Sequence, residues 1–249
     1  MKRGLDNKAY TIVEVIIVLA VSSALLVSAL LLVGGQQNKT QFNQSVRDIE
    51  QQVQDIINNV ATGYYSRSTD FTCSNNAGIL TISEGHSGLG SNKDCIFIGR
   101  VVQFNVEGNG ENFAVYNIVG LRENGGEAIT DLALAQPTIL NGTTEYRTLK
   151  YGLSAINCYG VGAVGFISTL GQSSGGNLES GSQNVELRSV TGVNCGDNEF
   201  SGAVTFSAPV SDVKVCFNSG GTNQYADLII GGSGRQTSTQ LDIRSGQCP

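Results

Sequence analysis

The stretch that decides the fold is YTIVEVIIVLAVSSALLVSALLLV, residues 10–33. From Ile12 to Val33 it is apolar except for one acid and three serines. As a helix those 22 residues span about 33 Å, the length a bilayer core requires. Lys2, Arg3 and Lys8 precede them, which by the positive-inside bias keeps the N-terminus cytoplasmic. Glu14 is the anomaly. An ionised side chain in hydrocarbon costs on the order of 2.5–3.5 kcal/mol, so the acid needs a positive partner at the helix start. A secretory signal peptide shares the basic flank, and Ala20-Val21-Ser22 fits a signal-peptidase site. A plain signal anchor shares the flank and the length. These readings stay open on this stretch alone.

The next segment, 34–63, carries an apolar stripe. Phe42, Val46, Ile49, Val53, Ile56 and Val60 recur at alternating spacings of four and three, one face of a continuing helix. Arg47, Asp48, Glu50, Gln51 and Asp55 take the other faces. The stripe is short for a coiled-coil stalk, which repeats over several heptads. Gly34-Gly35 between the halves predicts a flexible joint, since each glycine costs roughly 1 kcal/mol of helix stability.

Ala9, Tyr10, Thr11, Ile12, Val13 and Glu14 resemble the processing site of the type IV pilin and pseudopilin family. There a basic leader ends in a small residue, usually Gly, followed by an aromatic residue or Met, Thr, two apolar residues and Glu. Ala9 and Tyr10 replace the usual Gly and Phe. The resemblance implies a leader at 1–9, removed by a prepilin peptidase that methylates the new amine of Tyr10. It implies a transmembrane and filament-core helix at 10–33, an amphipathic helix at 34–63 and a β-rich extracellular domain at 64–249. Glu14 becomes the assembly acid, neutralised by the Tyr10 amine. The implied fold class is α+β: a long N-terminal helix packed on an antiparallel, disulfide-stapled sheet. The implied partners are other pilin subunits, the peptidase, the inner-membrane assembly platform and the membrane itself. The protein would cross the cytoplasmic membrane once before assembly and stand at the cell surface in a pilus afterwards. The expected role is structural, not enzymatic, with no cofactor and no metal.

Composition bounds the exterior part. Thirty-two glycines, three prolines and no tryptophan suit strands and turns. Formal charge is −6. Removing the leader takes three of 15 bases and one of 21 acids, leaving 12 against 20, or −8. That balance opposes approach of a polyanion. Six cysteines, Cys73, Cys95, Cys158, Cys195, Cys216 and Cys248, all follow the apolar run. No C-x-x-C pair occurs and His86 is the single histidine, so disulfides in an oxidising exterior explain them better than zinc or a Cys–His nucleophile. Fifteen connectivities are open. The expected set is sequential, Cys73–Cys95, Cys158–Cys195 and Cys216–Cys248, each closing a segment of separate strands. Cys248 would staple the C-terminal tail to the sheet, much as pilins tie down their terminal loop.

Period-two runs predict strands at Ile79–Ser83, Cys95–Val106, Asn112–Leu121, Glu145–Tyr151, Val161–Thr169, Val185–Val190, Ala203–Ser207, Val213–Phe217, Ala226–Ile230 and Gln240–Arg244. Each is expected to bury one face, with the helix stripe a ready cover. Glu107-Gly108-Asn109-Gly110 predicts a hairpin turn, with Asn109-Gly110 supplying the positive φ angles of a tight reversal; 171–182 and 194–198 read as surface loops. Asp70, Glu84 and Asp197 read as solvated loop acids. Near the end, GAVTFSAPVSDVKVCF (202–217) and ADLIIGGSGRQTSTQLDI (226–243) resemble the closing strands of GspH/FimT-like minor pilins, with Gly234-Arg235 at the family's Gly-Arg turn. Some of those proteins bind DNA near this turn, which makes Arg235 a candidate DNA contact, with Lys214 and Arg244 nearby.

Overall fold

The computed structural model describes residues 11–63, 71–76, 78–84, 94–168, 170–172, 178–179, 185–220, 222–231 and 237–248. Two compact units meet between Gln41 and Phe42. One helix, α1 (Ile12–Ala61), contributes to both. It runs unbroken across Gly34-Gly35, so the joint expected there is not an interruption of the helix. Its end is set by Gly63, at φ 68°, whose N–H reaches back to the carbonyl of Val60. That left-handed cap suits a residue without Cβ.

The second unit is antiparallel β throughout its described ladders. Its strands are β1 (Phe71–Asn76), β2 (Ile79–Glu84), β3 (Cys95–Phe104), β4 (Asn112–Leu121), β5 (Glu123–Asn124), β6 (Glu127–Ala128), β7 (Thr138–Ile139), β8 (Glu145–Thr148) and β9 (Leu153–Asn157). Then follow β10 (Ala163–Ser168), β11 (Gly171–Gln172), β12 (Leu178–Glu179), β13 (Val185–Val190), β14 (Phe206–Pro209), β15 (Asp212–Ser219), β16 (Gln224–Gly231) and β17 (Ser238–Ser245). The larger sheet has the order β14-β13-β10-β3-β4-β7, with β8 also on β4. Thr138 bridges Ala203, and Val204 N–H donates to Pro137 O at 2.8 Å. The strand at one end is thereby tied to the segment leading into the strand at the other. A four-stranded sheet, β17-β16-β15-β9, follows.

The stripe residues Phe42, Val46, Ile49, Val53, Ile56 and Val60 are buried, in one cluster with Phe104 and Phe113 of the first sheet and Phe217 and Leu228 of the second. Polar contacts tie the helix to the turn between β8 and β9. Ser45 Oγ donates to Lys150 O at 2.6 Å, and Lys150 Nζ meets Asp48 Oδ1 at 3.0 Å. A second cluster, including Ile98, Val101, Tyr116 and Ile118, lies on the opposite face of β3 and β4.

That second core corrects the expectation of one buried face per strand. Nearly all of β3, β4 and β10 is buried, because Ile129, Ala135, Ile139, Val190 and Val204 cover the other side. The β3–β4 reversal also differs. Positive φ falls on Asn105, Glu107 and Gly108, so β3 ends at Phe104, and Asn109-Gly110 is not the turning pair. Gly110 matters for space: a Cβ there would stand 2.7 Å from Ala155 O, beside the backbone that Ala155 N–H and Gly110 O hold together. The strand expected to reach Tyr151 ends at Thr148, and Tyr151 itself stands at φ 55°, outside any strand conformation. The expected loop at 171–182 contains the β11–β12 ladder, its remaining residues lying outside the described ones.

Three disulfides staple the unit. Cys73–Cys95 joins β1 to β3, Cys158–Cys195 joins the end of β9 to the 194–198 turn, and Cys216–Cys248 holds the tail on β15. Their Cα separations are 6.2, 5.8 and 5.9 Å.

Candidate functional site

The first candidate is the start of α1. Thr11 is the last residue before the helix, and Glu14 lies in its first turn. Thr11 N–H donates to Glu14 Oε2 at 3.2 Å, and Thr11 Oγ1 lies 3.3 Å from the same oxygen. In return, Glu14 N–H donates to Thr11 Oγ1 at 3.3 Å. This is a capping box: side chains at the two ends of a Thr-x-x-Glu step satisfy each other's orphan amide groups. The carboxylate also sits at the positive end of the helix dipole. Thr11 is therefore a capping residue that the reading of Glu14 alone missed, although Thr-x-x-Glu before an apolar run is its recognisable signature. Ala9 and Tyr10, the expected cleavage and methylation pair, lie outside the described residues.

Beyond Glu14 the helix carries no charge through Leu30, and Ile12–Leu30 is long and apolar enough to cross a membrane, with mean hydropathy 2.5. All its side chains are exposed. Two of the three serines within it are satisfied internally: Ser23 Oγ donates to Leu19 O at 2.7 Å and Ser28 Oγ to Ala24 O at 2.8 Å. Each hydroxyl thus brings its own acceptor, which lowers its cost in an apolar surround.

The second candidate is the outer face of the four-stranded sheet. Arg235 lies outside the described residues. Arg244 Nε donates to Asp242 Oδ2 at 2.9 Å, and its Nη2 binds the same oxygen. That pairing holds the Asp242 carboxyl below its ordinary range and the guanidinium above its own. Asp242 stands opposite Asp227 across β16–β17. Asp227 is buried and accepts the Tyr159 hydroxyl at 3.1 Å. Arg244 is thus committed to a neighbouring acid, and the exposed Lys214 also acts on the Asp242 carboxylate.

A buried polar relay lies behind β3 and β4. Tyr116 donates to Gln103 Oε1 at 2.8 Å, and Gln103 Nε2 donates to the carbonyls of Asp197 and Asn198. Burial, then the Glu199 charge, raises the Tyr116 phenol well above its ordinary value. On the surface, the Glu199 carboxylate holding its hydroxyl pushes Tyr146 up to about 12. Asp197, expected as a solvated acid, instead closes its turn by accepting Asn194 N–H at 2.6 Å. Asp70 and His86 lie outside the described residues. Among the described residues no three His, Cys, Asp or Glu side chains form a cluster able to hold a metal ion.

Searches of family models, curated proteins and solved structures find no match to this chain.

Proposed function

We propose that the chain is a structural subunit, a minor pilin or pseudopilin, of a type IV pilus or type II secretion-like filament. The carrying observation is Glu14, a lone acid at the head of an apolar helix that leads without interruption into a second, striped half. Prepilin peptidase would cut between Ala9 and Tyr10, leaving an ammonium group four residues before the carboxylate. In a filament core, Glu14 would pair with that amine on its own chain or a neighbour, and the desolvated pair would fix register. The stripe's burial in one cluster with both sheets supports a pilin-like packing of helix on sheet. The disulfide on the C-terminal tail fits a domain exposed outside the cell.

The decisive variant is Glu14→Ala. It should still insert into membranes and yet fail to enter filaments, since losing one partner of a buried pair costs roughly 3–5 kcal/mol. Normal incorporation of that variant would refute the proposal. The capping box favours a rival, a plain membrane-anchored surface domain, because it gives Glu14 a local task. DNA uptake through the C-terminal turn is the weaker alternative, since Arg244 is engaged by Asp242.

A further inference from the structure

We propose that the groove between residues 130–138 and the entry to β14 is a binding site for a neutral saccharide, an inference independent of the filament reading. The groove has a volume of about 890 Å³, within the span of roughly 300–1,000 Å³ typical of small-ligand sites. Its lining carries one acid, Asp131, and one base, Arg188. An ionic ligand would therefore meet its own sign as well as the opposite one, whereas a neutral, hydroxylated ligand can use both.

The polar groups are set and retain capacity. Asp131 Oδ1 accepts Ala133 N–H at 2.8 Å, which leaves the other oxygen without a partner among the described residues. Arg188 gives Nε and Nη2 to Glu186 and Nη1 to Ser207 O. Three of its five N–H groups are thus engaged, and the planar fork is held with two to spare. Thr130 and Thr205 add hydroxyls to the wall. A sugar hydroxyl both donates and accepts, so it can bridge carboxylate, guanidinium and threonine in sequence.

The apolar part suits the C–H face of a sugar ring. Phe206 lines the groove and is seated against β10 at Gly165, where a Cβ would stand 2.5 Å from the ring's Cε1. Any larger residue at 165 would displace the ring.

The test uses the full chain in a detergent without a sugar headgroup. Probes are maltotriose, cellotriose, triacetylchitotriose and lactose, with a sulfated heparin oligosaccharide as the anionic comparison, read by calorimetry and saturation-transfer NMR. At least one neutral probe should bind with Kd tighter than about 5 mM. Asp131→Asn, which keeps the Ala133 contact, and Thr205→Arg, an exposed position, should each weaken it by about tenfold or more with Tm unchanged. Three results would overturn the proposal: no neutral probe bound, binding unaltered in both variants, or binding of the sulfated probe alone. None of them bears on filament entry by the Glu14 variant.

Discussion

Thr11 and Glu14 hydrogen-bond each other in both directions across the first turn of α1, so the acid at the head of the apolar helix has a local partner. A cap and an inter-subunit charge pair make different demands on that carboxylate, and substitutions separate them. Glu14→Gln preserves the acceptor and removes the charge. In a peptide of residues 10–33 in micelles, Thr11→Ala should cost about 0.5–2 kcal/mol of helix stability by circular dichroism, and Glu14→Gln much less. Filament entry should order them the other way, with Glu14→Gln failing and Thr11→Ala partly active. Equal loss in both assays would reduce Glu14 to a capping residue.

The stripe makes a packing prediction. Ile56 is fully buried and Gln51 exposed on the same helix. Ile56→Ala should destabilise the sheet-bearing unit by about 2–5 kcal/mol in urea unfolding. Gln51→Ala should stay within roughly 0.5 kcal/mol. An inert Ile56→Ala would mean that the helix half does not share the core of the sheets.

The tail staple closes a separation of 32 residues. The double variant Cys216→Ser/Cys248→Ser should lose about 3–4 kcal/mol, from restored freedom of the unfolded chain. Protease digestion should then release residues beyond β17 first. Unchanged stability would show that the ladder between β16 and β17 holds the tail unaided.

Tyr146 and Tyr116 predict an alkaline signature. Both phenols are raised in the folded protein, so the neutral form is favoured by folding. Their contribution is fully present below the ordinary value near 10 and is lost as pH rises through the folded values. Titration at 295 nm should show a component near pH 12 that Tyr146→Phe removes. Glu199→Gln should bring that component back toward about 10, since Glu199 is the principal cause of the shift. If all tyrosines titrate together near 10, the Glu199 contact is absent in solution.

Much of this architecture can be read from the chain because its signals are local. A period near 3.5 from Phe42 to Val60 marks the buried helix face, and alternation in β15–β17 marks an inner row of Val213, Val215 and Phe217. The β3 and β4 sequences already depart from alternation, and near-continuous apolar runs are what doubly buried strands look like. What covers their second face could not be read in full, since residues 129–140 and 191–202 have no periodic pattern. β9 escaped notice for a related reason: Leu153 and Ala155 point inward, but exposed Ile156 blurs the two-residue period. The groove at Asp131 and Arg188 joins positions 57 residues apart through the sheet's closure, which no local motif announces.

The most direct test of the central claim is intact mass and N-terminal sequencing of the protein isolated from its native membrane or filaments. The account predicts a chain beginning at Tyr10 and carrying a methyl group on its α-amine, so that an ammonium group lies within reach of Glu14. A functional chain that retains residues 1–9, or one cut near Ser22, would contradict it.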